Sequence, residues 1–522
     1  MHVGGPLVKG RVFASAEVLK GVADGYVQDL LHPENPLGGN DVTAARTTLR
    51  LVFSPRSEFR LTGDYSHRNP APLFFTKVLA VKPGFAVANP SDPLEVRTST
   101  PASGRHVQYG VLGHFTWRPR RAVVLTSLTA YRDLDYRFKV DSDITELAIV
   151  KTGIHETHHQ LSQEVTVAGD SPMLRWTAGV IYFTDVDRQP TVTTFLMPRQ
   201  ASTLNPIVNG TSTAAFGQVR LQLPARLAAL AGLRYSRDRK TMDNSGGVSL
   251  DDVAVSSFEY RDTTTTRAWT PKLGIEYRLS ERSMAYAAAT RGFKTGGFNL
   301  TATRASDGFA PEWVWSYEVG LKAASANARS NVGVSAYVAD YTDLQVQTSI
   351  RPGLLEITNA ADATIRGLEI EATSRLGAGW QAGGHVAWLD ATYDRYLAVN
   401  ADGSTIDVSG RRLSNAPEWS GRVWLEHSGR VWRSGVVSHL EWLPQSTTFF
   451  TPVNDAIQRQ RPYGLMAASV TVQPSTWWSI GVYGRNLTAA DYITGTNSAP
   501  PPAIGARPGE PRQVGVQFNI IR

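Results

Sequence analysis

The feature that most constrains this chain is two-residue alternation of apolar and polar side chains, repeated from one end to the other. In a strand, successive side chains point to opposite faces, so such a pattern describes a sheet with two unlike faces. Val514, Val516, Phe518 and Ile520 fall on one face of the last segment, and Gln513, Gly515, Gln517 and Asn519 on the other. Trp315, Tyr317, Val319 and Leu321 alternate with Ser316, Glu318, Gly320 and Lys322. Leu368, Ile370 and Ala372 alternate with Gly367, Glu369 and Glu371, and Phe59, Leu61 and Tyr65 with Glu58, Arg60, Thr62 and Asp64. No long segment has helical periodicity.

The alternating segments are joined in two ways. Short turns are read at Ser54-Pro55-Arg56, Arg118-Pro119-Arg120, Gly169 to Pro172, Leu223-Pro224-Ala225, Leu279-Ser280-Glu281, Leu376-Gly377-Ala378, Ser428-Gly429-Arg430 and Gln473-Pro474-Ser475. Pro and Gly suit such places because they set turn dihedrals and interrupt ladders. Long polar connections are read at 68–104, 187–211, 238–266, 395–416 and 488–509. Connections of that length are uncommon in compact water-soluble domains. About 20 strands, many long enough to cross a bilayer at a tilt, with short turns on one rim and long loops on the other, form the pattern of a transmembrane antiparallel β-barrel. Tyr109, Trp117, Trp313, Trp315, Trp419, Trp477 and Trp478 stand toward strand ends, where interfacial girdles place aromatic rings. A lumen bounded by so many strands is too wide for side chains to fill.

Composition excludes several alternatives. There is no Cys among the 522 residues, so disulfide frameworks, thiolate metal sites and Cys nucleophiles are out. The net charge of +7 is carried by Arg spread along the chain rather than by a basic block, which argues against a nucleic-acid partner. No apolar run is long enough for a membrane-spanning helix. His155, Glu156, His158 and His159 form the most metal-like cluster, but on a strand His155 and His159 share a face and His158 points away. Gly292 to Gly297 lacks phosphate-loop spacing, and no nucleophile-elbow context accompanies any Ser. Neither an enzyme, a cofactor nor a metal site is read from the chain.

Several ordered segments carry a resemblance. They are Gly5-Pro6-Leu7-Val8, the run from Tyr286 through Thr290-Arg291-Gly292-Phe293-Lys294-Thr295-Gly296-Gly297-Phe298-Asn299, Pro311-Glu312, and Trp315 to Lys322. Tyr341 to Val346, Asn359-Ala360, Arg366 to Glu371, Asn415-Ala416-Pro417, Gly484 to Thr488 and Pro508 to Arg512 follow. In this order they resemble the barrel domain of TonB-dependent outer-membrane receptors over residues 1–522. The resemblance implies a signal peptide, a TonB box and a plug ahead of a barrel of 22 strands. It places Gly5-Pro6-Leu7 at the end of the second barrel strand, so the expectation is a barrel lacking those front parts and about two strands. It also puts Arg522 where the family usually ends on an aromatic read by the barrel assembly machinery, which predicts weakened insertion.

The functional expectation is uptake of a scarce nutrient, foremost a ferric siderophore, across the outer membrane of a Gram-negative bacterium. The TonB complex enters only where a plug and TonB box are supplied, and the truncated chain alone is expected to be inactive. Outer-membrane lipid and lipopolysaccharide are the surrounding partners, and a monomer is expected. A passive porin-like channel and a non-transport surface receptor or adhesin are the alternatives. Arg291, Glu318, Lys322, Arg366, Glu369 and Glu371 are read as lumen-facing charges, because a charge in lipid costs up to about 2–4 kcal/mol. Of these and the loop residues, Arg291, Lys294, Asn299, Arg366, Glu369, Phe74, Phe75, Phe449 and Phe450 are the ligand-binding candidates.

Overall fold

The computed structural model describes residues 1–73, 77–196, 199–305, 308–351, 354–399, 404–497 and 503–520. Phe74, Phe75 and Arg522 lie outside the described residues. The described residues contain no helix. They form a 24-stranded antiparallel sheet with small sheets at one rim. Three of the 24, Thr191–Leu196, Arg199–Leu204 and Thr405–Asp407, extend hairpins beyond the wall.

The remaining strands make one meander. It begins β1 (His2–Val8), β2 (Val12–Ala23), β3 (Asn40–Ser54), β4 (Ser57–Pro70), β5 (Ser103–Arg120), β6 (Val123–Asp141) and β7 (Val150–Asp170). It continues β8 (Leu174–Arg188), β9 (Ile207–Gln222), β10 (Leu227–Leu250), β11 (Val253–Ser280), β12 (Ser283–Lys294), β13 (Glu312–Ala324) and β14 (Ser330–Arg351). It ends β15 (Leu354–Gly377), β16 (Trp380–Val399), β17 (Trp419–Val431), β18 (Ser434–Gln445), β19 (Tyr463–Ser475), β20 (Trp478–Arg485) and β21 (Gln513–Ile520). Each strand pairs antiparallel with the next. Among the described residues the wall therefore has 21 strands, where the alternation predicts about 20. Among the described residues no pairing joins β21 to β1.

The sheet curls far enough to bring connections near its two ends into contact. Lys77–Val81, which follows β4, pairs with Ala503–Pro508, which precedes β21 and itself pairs with Ile493–Asn497. Lys77 Nζ reaches Asp491 at 3.3 Å across the same junction. These contacts bring the connections from opposite ends of the chain together on one rim.

The two rims differ as expected, with corrections in detail. Nearly every odd-to-even connection is a tight turn. Ala225, Arg226, Ala328, Ala378, Gly379 and Trp432 take positive φ in those turns. The turn assigned to Ser428-Gly429-Arg430 is instead at Trp432-Arg433: all three residues remain in the ladder, with Gly429 opposite Val436. The turn read at Arg118-Pro119-Arg120 moves to Arg121-Ala122 because a register shift between Trp117 and Arg120 carries β5 past Pro119. The polar segment 238–266 is no irregular connection. It continues β10 and β11 as a paired hairpin from Asp238–Thr266 to Leu250–Val253. Thr, Ser and Asp suit strands that stand in water on both faces.

Burial is inverted relative to a water-soluble protein. The alternating apolar residues are on the outside: Val319 is 57% exposed and Val514 73%. Exposed bands this extensive mark a lipid-facing surface. Buried hydrophobic residues gather at the long-loop rim, in clusters around Tyr393 and Tyr396, around Val27 and Val96, and around Val78 and Ile144. Two motif glycines have a packing reason. A Cβ on Gly320 would stand 2.5 Å from the Tyr286 ring, and one on Gly367 2.2 Å from the Tyr337 ring. Each tyrosine lies flat over a glycine of its neighbouring strand, and Tyr286 donates its hydroxyl hydrogen to Glu318.

This orientation has a direct test. Val319→Arg should lower unfolding stability in lipid vesicles by about 2–4 kcal/mol, whereas the same change at inward Ser335 should cost well under that. Equal costs at the two positions, measured by denaturant titration, would reject the assignment of faces.

The candidate ligand-facing wall and loop rim

Cross-strand register assigns every wall residue to a face, since directly opposed residues share one. On β12 and β13 the exposed Trp315 stands opposite Arg291, and Trp313 opposite Phe293. Arg291 therefore faces outward, with its guanidinium 4.4 Å from the Trp313 ring centroid. Arg366 stands opposite Val338 and Asp390 and shares the face of Leu368. It pairs with Asp390 at 3.6 Å. Their charge predicts a lumen position for both arginines, but both face the membrane side. Arg366 has the same parity as Leu368, and Arg291 the same as Phe293. Stacking on an indole and pairing with a carboxylate make an outward position tolerable near an interface.

Glu318, Lys322, Glu369 and Glu371 do face inward, as does Lys294, which opposes Glu312. Asn299 is buried in the loop after β12, where both ends of its amide are taken by the backbone. Its Nδ2 donates to the Ile357 carbonyl at 3.1 Å, and its Oδ1 accepts from the Ile357 N–H at 2.7 Å. Asn359 clamps Ala310 in the same way, and Asn486 ties Ala490 to Glu510. The motif asparagines thus hold loops to the wall. Phe449 and Phe450 are half-buried in a short loop hairpin whose carbonyl at Phe449 accepts from Asn415 N–H.

Much of the inward charge is self-neutralised. Arg50 meets Glu58, Arg220 meets Glu276 and Arg422 meets Glu441, each at 2.6 Å, and Arg132 meets Asp64 at 3.3 Å. Pairs this accessible contribute about 0–1 kcal/mol each, so they tune the lumen wall more than they stabilise it.

A different arrangement lies past the aromatic Tyr182, toward the long-loop rim. Glu156 and His158 of β7, Asp185 and Asp187 of β8, and Lys240 of β10 all face inward there. His155 and His159 face outward, so alternation splits the histidine cluster, and no metal-holding group occurs among the described residues. His158 Nε2 is 3.4 Å from Asp185. Asp185 leans over Gly210, where a Cβ would stand 2.1 Å from its Oδ1, and so approaches Lys240 on the far strand. Burial raises the pKa of Glu156, with Asp187 adding to the rise and His158 opposing it. Burial raises Asp187 as well, against the opposing charge of His158. Lys240 is lowered by burial. The mouth of the lumen thus holds partly desolvated groups of both signs.

Three buried acids, which sequence reasoning missed, set the shape of the rim. Asp29 accepts from the N–H of Leu31 and Thr98 and from the Thr98 hydroxyl. Asp141 accepts from Ser99, Thr100, Asp143 and Ile144 N–H, and Asp143 from Thr145, Ile149 and Val150 N–H. Their oxygens are filled by donors, which suits loop anchors rather than cation ligands. The run Asp141-Ser142-Asp143-Ile144-Thr145, with acids and Thr spaced for side-chain-to-backbone turns, was the available signal.

The family profile described as TonB dependent receptor-like, beta-barrel, matches residues 20–487. The chain belongs to the TonB-dependent receptor β-barrel family. It is 25% identical over 211 residues to the metal-pseudopaline receptor CntO of Pseudomonas aeruginosa, an alignment covering 40% of this chain and 27% of that protein. The aligned part is thus about a quarter of that relative's length. Among solved structures, it superimposes on the ferric yersiniabactin uptake receptor FyuA from Yersinia pestis with a TM-score of 0.85 at 18% identity, covering 99% of this chain and 77% of that one. The siderophore receptor PiuA from Acinetobacter baumannii gives 0.78 at 12% identity, covering 99% and 78%. This TonB-dependent receptor barrel is accordingly an outer-membrane protein, with its long loops on the cell exterior.

The buried acids give a pH dependence. Burial, then the nearby Asp143, raises the Asp141 pKa from an ordinary 3.8 to about 7, and burial raises Asp143 too. The folded rim holds its proton more tightly than the unfolded chain. Its stabilising contribution is complete below about pH 3.8 and is lost as pH rises toward 7. Protease resistance of loops 24–39 and 77–102 should fall across that window. The pH-dependent component should be reduced in Asp141→Asn, which should also destabilise the rim by about 1–3 kcal/mol through lost acceptors. A flat wild-type profile would contradict the assignment.

Proposed function

We propose that this barrel is the outer-membrane portion of a TonB-dependent uptake receptor for a metal chelate of the ferric-siderophore type. The observation that carries the reading is the lumen mouth itself. Glu156, His158, Asp185, Asp187 and Lys240 face inward at a partly desolvated rim, with Lys294 and Glu312 opposed on the inward face of β12 and β13. A mixed-sign rim of this kind suits an organic chelate with both anionic donor groups and apolar or cationic parts. The named functions of CntO, FyuA and PiuA support that ligand class.

No covalent chemistry is required. The barrel provides capture and passage. A plug with its TonB box provides the gate and the coupling to TonB, so the barrel without them binds ligand but does not drive uptake. Binding biases the loops toward a closed state only to the extent that the chelate prefers that state. Of the candidate residues, Lys294 and Glu369 line the inward face, and Phe449 and Phe450 sit in a loop at the entrance. Arg291 and Arg366 act outside the lumen.

Equilibrium binding of a panel of metal-loaded and metal-free chelates to the purified folded protein tests the reading. The expected result is saturable binding of a loaded chelate and much weaker binding of its metal-free form. Lys240→Met combined with Lys294→Met should weaken an anionic chelate about tenfold, roughly 1.4 kcal/mol. A folded protein that binds no loaded chelate would remove this ligand class.

A further inference from the structure

We infer that the outward face of β10 and β11 carries a binding site for the phosphate groups of an outer-leaflet glycolipid, formed by Arg237, Arg239 and Arg267. The register puts them there. Tyr235 stands opposite Trp269, Leu233 opposite Pro271 and Ala231 opposite Leu273, and these are lipid-facing positions. Arg237 and Arg239 have the parity of Tyr235 on β10, and Arg267 has that of Trp269 on β11. All three are exposed.

Their order along the strands matches a lipid seen edge-on. Leu233 and Leu273 are exposed in the apolar band. Next come Tyr235 and Trp269, whose ring centroids are 4.7 Å apart, with Trp269 56% exposed. The arginines follow toward the long-loop rim. Acyl chain, interface and headgroup meet apolar, aromatic and cationic side chains in that sequence.

The arginines are not placed for mutual stability. Arg237 stands directly opposite Arg267, and Arg239 is diagonal to Arg267. Like charges directly opposed across strands are destabilising. Arg366, Arg261 and Lys20, which also face outward, are paired with Asp390, Asp243 and Asp41. Among the described residues, Arg237, Arg239 and Arg267 have no ion pair. Three guanidinium groups this close form a fork-rich site for phosphate oxygens, which guanidinium binds bidentately. An outer leaflet of phosphorylated glycolipid supplies that anion at the height of the cluster, with its chains against Trp269 and Leu273. The site is outside the lumen and independent of what the receptor transports.

The test compares the full-length folded protein with R237Q/R239Q/R267Q for retention of bis-phosphorylated lipid A, read by native mass spectrometry and by binding to lipid A vesicles. Heat-modifiable gel mobility reports folding. Wild type should retain the glycolipid, the Gln variant should bind at least about tenfold less, and the corresponding triple Lys variant should keep most of the binding. Vesicles of dephosphorylated lipid A should abolish the difference, and inorganic phosphate should not displace the lipid. If the triple Gln variant fails to fold, Arg239→Gln alone provides the comparison, with a smaller drop expected. Equal retention by wild type and a folded Gln variant, or equal binding of phosphorylated and dephosphorylated lipid A, would overturn the site.

Discussion

A backbone amide in hydrocarbon has no water to bond with, and the rest of this structure depends on that constraint. Each wall strand satisfies its N–H and C=O groups on its neighbours, so register is continuous from β1 to β21. Register then decides which side chains face lipid and which face the lumen. The apolar set is outside because the solvent there is apolar. The polar set is inside because the lumen is wet. An otherwise ordinary composition, with 42% hydrophobic residues, becomes a membrane protein through arrangement alone.

The same constraint explains where tertiary packing occurs. Inside the membrane the wall needs little packing beyond its ladders and a few tyrosine-over-glycine contacts. Beyond the membrane the long connections meet water and must order their own polar backbone. They do so with small hydrophobic clusters, such as Val27, Leu37 and Val96, and with carboxylates that each collect several N–H groups. Asp141 and Asp143 are buried for that purpose, and burial, with Asp143 close by, keeps a proton on Asp141 at higher pH than an ordinary carboxylate holds one. The mouth of the lumen inherits its shape from these anchors.

The faces of the wall were legible in the sequence because alternation is a local, exact period of two. The parity of Leu368 alone puts Arg366 outside, and that of Phe293 puts Arg291 there. Charge points toward the lumen at both positions, but the period holds, because Trp313 and Asp390 accommodate the charges outside. Turn positions were less legible. Gly429 looks like a turn residue but remains in the ladder, whereas the turn falls at Trp432, which takes a positive φ of 54° and is almost fully exposed. The paired hairpin through 238–266 was hidden because strands in water on both faces lose the apolar half of the pattern. The clamping roles of Asn299 and Asn359 depend on partners some 50 residues away, which no local pattern reveals.

The wall's edges follow from the same constraint. In a meander whose neighbours are all antiparallel, strands of odd number run the same way, so β1 and β21 are parallel to each other. They cannot pair antiparallel as every other neighbouring pair does. The connections near them are joined through Lys77–Val81 and Ala503–Pro508. Closing an all-antiparallel barrel needs an even strand count, because only then does every strand lie between two that run the opposite way. An even number of strands is therefore a consequence of hydrogen bonding in lipid. The chemistry of the lumen depends on that closure, since a polar face stays separate from lipid only when the sheet has no open edge.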